Sequence, residues 1–209
     1  MKKVSVVVPC FNEEDNILLF YKELKKELVK IKNISYEIIF VDDGSIDNTL
    51  MNICKIKKSN NNIKCISFSK NFGKEAALFA GLKYSEGDCV ITMDSDLQHP
   101  PKYIKNMYEL WLQGYEVVKG IKKDRKKEGF FIVFFSKIYN RIFKTFSDED
   151  INNSSDFNLL DRVVVDSLNA ITENNSFYRG LTYWVGFNSV DFYFEVDIRA
   201  TNKSKWSFE

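Results

Sequence analysis

The first 121 residues alternate between short, almost purely apolar runs and longer amphipathic segments. The runs are VSVVVPCF (4–11), YEIIFVDDGS (36–45), IKCISFS (63–69), CVITMDSD (89–96) and YEVVKGI (115–121). Each is short enough for a strand, and most are β-branched. A strand with apolar residues at nearly every position has no wet face, so both of its faces must be covered. Between the runs, apolar residues recur at helical spacing. In residues 12–31 they are Ile17, Phe20, Tyr21, Leu24 and Leu28. Asn12 reads as the N-cap of this helix, with acids in its first turn. Further helices are expected at 47–57, at 73–85 and after Pro100-Pro101, where proline suits the first turn. Strand-helix alternation of this kind predicts an α/β fold with a mostly parallel central sheet and helices on both faces.

Four acids fall where predicted strands end: Asp42, Asp43, Asp94 and Asp96. In open α/β sheets that edge is where ligands bind. Asp42 to Ser45 also reads as ordinary turn chemistry. The stretch MDSDLQHPP is harder to explain so. Two carboxylates one residue apart repel unless something positive lies between them. Oxygen donors without thiolate or imidazole suit Mg2+ or Mn2+, which usually sits on one or two carboxylates and a substrate's phosphates. The chain has neither a G-x-G-x-x-G after its first strand nor a Walker A sequence, so neither dinucleotide nor P-loop binding is indicated.

Net charge and cysteine usage remove other classes. With a formal charge of +1, the chain offers no global attraction for nucleic acid. Four scattered cysteines and one histidine make neither a zinc site nor a disulfide framework, and apolar neighbours suggest reduced, buried thiols of a cytosolic setting. No apolar run approaches the roughly 18–20 residues of a membrane helix.

Residues 122–144, KKDRKKEGFFIVFFSKIYNRIFK, carry eight Lys/Arg against two acids. An apolar run at 130–135 continues into Ile138, Tyr139, Ile142 and Phe143 at helical spacing. Basic residues flanking a very apolar helix, expected at about 128–145, are the pattern of an interfacial segment. The competing reading is a core helix with a solvated charged entrance.

Taken in order, VVVPCFNEE, VDDGSIDNT, NFGKEAAL, MDSDLQHPP, SSDFNLLDR, FYRGL and a late Arg with Ser-Lys resemble family 2 glycosyltransferases. The likeness is to the polyprenyl-phosphate sugar transferases in particular, typified by dolichol-phosphate mannose synthase and bacterial undecaprenyl-phosphate glucosyltransferases. It runs over essentially the whole chain. It implies one GT-A (Rossmann-like) domain over residues 1–209, with a nucleotide-sugar-binding part at 1–121 and an acceptor-binding part at 122–209. It implies inverting transfer of a hexose from a nucleotide sugar, a UDP-sugar such as UDP-glucose or alternatively GDP-mannose, to undecaprenyl phosphate for cell-envelope glycan modification. A glycan acceptor and a non-catalytic nucleotide-sugar-binding module are the other readings.

The resemblance also assigns residues. Pro9, Phe11 and Glu13 would line the nucleotide pocket, Asp42 would hydrogen-bond the base, and Asp94 would face the ribose and diphosphate. Asp94, Asp96 and Gln98 would hold Mg2+ or Mn2+. Lys74, following Gly73 at a helix start, is either an anion contact or a solvated lysine. Asp156 aligns with an acceptor-side acid: a catalytic base, a sugar ligand or a loop cap. Arg125, Ser136 and Arg199 would contact the acceptor phosphate. Two features depart from the pattern. Ile132 and Val133 stand where many relatives have a basic residue, and Asn202 stands where glycine usually precedes the Ser-Lys pair. Relatives usually continue into membrane helices. The expectation is therefore a catalytic part of a longer protein, rather than a naturally soluble form anchored only at the interface, working on the cytoplasmic face of the membrane, with a homo-oligomer as a further candidate partner.

Overall fold

A computed structural model of the chain describes residues 1–123, 154–171, 178 and 186–196. Five strands come from the alternating front: β1 (Lys2–Cys10), β2 (Ile34–Asp42), β3 (Ile63–Ser67), β4 (Cys89–Thr92) and β5 (Val117–Lys122). Between them lie α1 (Ile17–Leu28), α2 (Thr49–Ser59), α3 (Lys74–Lys83) and α4 (Ile104–Leu112). A single 3-10 turn at Pro101–Tyr103 leads into α4, as the proline pair predicts. Two strands and a helix follow: β6 (Ser154–Asp161), α5 (Arg162–Ala170) and β7 (Ser189–Phe194). The sheet order is β3-β2-β1-β4-β6-β5-β7. All the pairings are parallel except those of β6, which runs antiparallel between β4 and β5.

The apolar runs do what their composition requires. Along β1, Val4, Val6 and Val8 face one core, while Val7 faces the other. The first core is closed by α1, α2 and α4 through residues such as Phe20, Ile53 and Met107. The second is closed by α3 and α5 through Leu78, Leu82, Val165 and Leu168. The mostly parallel sheet covered on both faces is thus as expected.

The N-cap expectation is corrected. Asn12 lies five residues before α1 begins, with φ +54°, a backbone that Asn tolerates better than most residues. Asn16 stands at the N-cap position, and no acid lies in the first turn. Asn12 serves instead as a clasp between loops. Its N–H donates to Ser45 Oγ at 2.9 Å, and its Oδ1 accepts from the Ile46 N–H at 3.0 Å.

Pro9 explains where the sheet opens. β4 pairs with β1 only from Val4 to Val7, and the last bond runs from the Met93 N–H to the Val7 carbonyl. Strand alternation points position 9 to the same side. A proline has no N–H to offer there, so β4 leaves β1 without stranding a donor. Since β2 and β3 lie on one side of β1 and β4 on the other, this is the topological switch point. In open α/β sheets ligands bind in a crevice beyond the strand ends at such a point.

Candidate active site

β2 brings Asp42 to this rim. It is 1% exposed. Its Oδ2 accepts a long 3.4 Å bond from Ser67 Oγ, and its Oδ1 is the one buried side-chain polar atom without a partner among the described residues. An unpaired buried carboxylate oxygen is costly, and a ligand N–H would relieve the cost. The neighbouring Asp43 does different work. Its two oxygens accept the N–H groups of Phe72 at 2.7 Å and Gly73 at 2.9 Å, fixing the loop that starts α3. Burial raises the Asp43 carboxyl above its ordinary value, against those two bonds. Of the two adjacent acids, then, one is loop chemistry and one has an oxygen to spare.

The β1–α1 loop lies directly against the β2–α2 loop that follows Asp42. Pro9 is buried and Phe11 half-buried. Glu13 is also buried; its N–H donates to Thr49 Oγ1 at 2.7 Å, and its Oε2 accepts from Asn16 Nδ2 at 2.6 Å. These three residues therefore lie at the end of β1 and in the loop after it, next to the end of β2 that carries Asp42.

Beyond β4 the chain turns sharply. Asp96 Oδ1 accepts the Gln98 N–H at 3.0 Å across Leu97, which has φ +64°. A leucine in left-handed backbone is strained, and such strain persists where surrounding structure enforces it. The Asp94 N–H donates to His99 Nδ1 at 3.1 Å. That bond makes Nδ1 an acceptor and the imidazole neutral. Burial pushes the His99 pKa down to about 4, against the pull of Asp94.

Lys74 supplies the positive charge between acids. Its Nζ lies 2.6 Å from Asp94 Oδ1 and 2.6 Å from Asp156 Oδ2. Burial would lower the Lys74 pKa, but the two carboxylates outweigh it and raise it. Burial would likewise raise the Asp94 pKa; Lys74, then His99, draw it below its ordinary value. Asp156 reaches this place because β6 runs antiparallel to β4 with Asn158 opposite Thr92, which sets the start of β6 beside the end of β4. The Asp156 carbonyl accepts from Thr92 Oγ1, and Thr92 Oγ1 lies 2.8 Å from the Tyr178 hydroxyl. The Tyr178 N–H in turn donates to Glu75 Oε2 at 2.7 Å, tying Tyr178 to α3.

The structure therefore brings Asp42, Lys74, Asp94, Asp96, Gln98 and Asp156 to one edge of the sheet. Arg125, Ser136, Arg199 and the helix expected at 128–145 lie outside the described residues. His99, Thr92 and Tyr178 carry structural roles at the site that the sequence reading did not assign. His99 had a signal, its place inside MDSDLQHPP, whereas Thr92 looks like any strand residue. Among the described residues no three His, Cys, Asp or Glu side chains cluster to hold a metal, and no helix is long and apolar enough to cross a membrane. The fit for a hard cation rests on fewer groups. Asp94, Asp96 and Gln98 share one strained turn, their donors are all oxygen, and the Gln98 side-chain amide has no hydrogen-bond partner among the described residues. Two carboxylates and an amide oxygen match the usual protein share of a Mg2+ or Mn2+ site, where substrate phosphates complete the shell.

A family model described as glycosyl transferase family 2 matches residues 5–168. The chain belongs to that family. An uncharacterised glycosyltransferase of Synechocystis is 37% identical over 207 residues, which cover 99% of this chain and 65% of that protein. A bactoprenol glucosyl transferase of Shigella phage SfV is 39% identical over 188 residues, covering 88% of this chain and 60% of that protein. The chain thus spans somewhat less than two thirds of these relatives. Among solved structures, glucosyl-3-phosphoglycerate synthase from Mycobacterium tuberculosis, in complex with Mn2+, UDP and phosphoglyceric acid, superposes with a TM-score of 0.63 at 19% identity. That likeness covers 97% of this chain and 72% of that one, and it identifies the family fold as GT-A.

Proposed function

We propose that this family 2 domain binds a UDP-sugar with a divalent cation and transfers the hexose, glucose in the first instance, to a polyprenyl phosphate at the cytoplasmic membrane surface. The observation that carries the donor half is the Asp42 oxygen, buried at the switch point and without a partner among the described residues. A nucleobase imide N–H is the kind of donor it lacks. The acceptor half rests on likeness to the bactoprenol glucosyl transferase and on the basic, apolar stretch at 122–144, which suits an anionic lipid surface.

In the reaction, the bond between the anomeric carbon and the diphosphate oxygen breaks. A phosphate oxygen of the acceptor bonds to that carbon from the opposite face, inverting it. Asp42 holds the base, while Pro9, Phe11 and Glu13 shape its pocket. Asp94, Asp96 and Gln98 would hold Mg2+ or Mn2+. Bound there, the cation supplies charge neutralisation as the diphosphate departs. Asp156 is a substrate contact rather than an obligatory base, because a phosphate acceptor is already anionic near neutral pH. Arg125, Ser136 and Arg199 complete the proposal on the acceptor side.

The test is thermal unfolding with UDP, GDP and CDP, each with and without Mn2+. Saturation to about 100 times the dissociation constant adds roughly 2.7 kcal/mol. UDP with Mn2+ is expected to give the largest upward shift. A shift confined to GDP would replace the UDP-sugar with GDP-mannose, and no shift with any nucleotide would overturn the donor site.

A further inference from the structure

Lys74 joins the turn after β4 to β6 through charge. Asp94 belongs to the turn after β4, and Asp156 belongs to β6. The ammonium is set between them by a rigid foot: Lys74 opens α3, and Asp43 pins the two preceding N–H groups of Phe72 and Gly73. Asp156 is the more enclosed partner, with a side chain 4% exposed against 25% for Asp94.

A divalent cation drawn to Asp94 meets this arrangement. It cannot share the Asp94 carboxylate comfortably with an ammonium already 2.6 Å away, because the two positive charges repel. Without the ammonium, however, Asp94 and Asp156 would repel each other. The buried partner gives Lys74 somewhere to remain when Asp94 is taken. We propose that Lys74 is a placeholder cation, bridging Asp94 and Asp156 before the donor arrives, then yielding Asp94 to the divalent ion while staying on Asp156. Its ammonium then faces the space between the donor-side and acceptor-side acids, where an incoming phosphate oxygen gains a counter-charge. This rests on the reading that a cation and a nucleotide sugar occupy this crevice.

The decisive comparison is Lys74→Met, of similar length and no charge, against wild type. Mn2+ affinity is read by the EPR signal of free ion, with Mn2+ alone and with Mn2+ plus UDP, and thermal unfolding is read in parallel. Removing a competing charge should tighten Mn2+ binding about tenfold. The variant should also unfold at a lower temperature without the ion and regain most of the loss with it. A merely structural lysine would lower the unfolding temperature with no such recovery. Unchanged or weaker Mn2+ binding by a folded Lys74→Met overturns the placeholder role alone, since wild type still binds. Mn2+ binding to neither protein, with or without UDP, overturns the donor-site reading and the placeholder role with it. Should Lys74→Met fail to fold, Lys74→Arg decides. Its charge and fork should keep Mn2+ binding as weak as wild type or weaker, and tighter binding would reject the proposal.

Discussion

His99 lies flat against Phe157, with ring centroids 5.3 Å apart and planes within 14° of parallel. Phe194 meets the same imidazole edge-on at 5.7 Å. β6 and β7 thereby hold the ring whose Nδ1 anchors the Asp94 N–H. Because burial keeps the imidazole neutral, acid should loosen this anchor. The unfolded chain takes up the proton near the ordinary value of 6.5, the folded chain only near 4. Between those values the unfolded state binds more protons, so stability rises with pH. The His99 contribution is complete above about pH 6.5. It falls by as much as about 3 kcal/mol on the way to pH 4, at 1.36 kcal/mol per pH unit. His99→Asn can keep an acceptor for Asp94 without titrating. Urea unfolding at pH 5 and pH 7.5 should give a smaller difference for the variant than for wild type, and equal differences would remove His99 from the account.

Asp42→Asn separates binding from folding. Among the described residues this buried oxygen has no partner, so losing its charge costs the unliganded fold little. A hydrogen bond from a ligand to a charged group is worth about 1.5–3 kcal/mol, or roughly 10–100-fold in affinity. Calorimetry should show UDP binding weakened by that factor, with an unfolding temperature no lower than wild type. A destabilised variant that binds UDP normally would make Asp42 a structural residue.

The sequence made the donor edge legible because its signals are local. Apolar runs end in acids, and a parallel sheet must send those ends to one rim. Asp42, Asp94 and Asp96 follow directly. β6 does not read as a strand in the sequence because Ser155, Asp156 and Asn158 interrupt its apolar pattern, although all three are buried. Its antiparallel insertion next to β4 depends on long-range pairing that no spacing reveals. Without β6 beside β4, nothing tells that Lys74 meets Asp156, so in the sequence the lysine is either a helix-start anion contact or a solvated side chain. β7 is different. Val190, Phe192 and Phe194 alternate with Asp191 and Tyr193, so a period of two was there to be seen. Asn12 misled because Asn before an apolar helical pattern is a common cap, whereas here the cross-loop bonds to Ser45 and Ile46 prevail.

Gly44 tests how tightly the donor rim is built. It has φ +68°, and a Cβ there would lie 2.4 Å from the carbonyl carbon of Lys70 and 2.7 Å from the Asn71 nitrogen. The β2–α2 and β3–α3 loops could not then approach each other as they do. Left-handed strain alone costs about 1–3 kcal/mol, and the clash adds to it. Gly44→Ala should lower the unfolding temperature clearly and weaken UDP binding, since Asp42 and Asp43 sit immediately before it. Crystallographic or thermal evidence that alanine is accommodated without loss would refute the close packing of the two loops.

The far end of the sheet provides the matching control. Glu37 Oε1 accepts from Ser5 Oγ at 2.6 Å and from the Glu86 N–H at 2.7 Å, while Oε2 lies 3.2 Å from Lys3 Nζ and 2.9 Å from Lys64 Nζ. Four segments at the start of β1, β2, β3 and β4 meet on this one carboxylate. Burial would raise its pKa, but the hydroxyl, the N–H and the two lysines together lower it. A depressed carboxyl stabilises the fold above its unfolded value, about 4.3, and loses that contribution as pH falls through the folded value. Glu37→Ala removes a buried charged acceptor and leaves its donors short, at a cost of about 1.5–3 kcal/mol near neutral pH. The difference from wild type should shrink steadily below pH 4, as wild type protonates the same group. UDP affinity of the folded variant should not change, because the clasp lies at the opposite ends of the strands that present Asp42 and Asp94. A loss of nucleotide binding in Glu37→Ala would mean that the sheet transmits strain along its whole length, and that the donor rim is not positioned by its own loops.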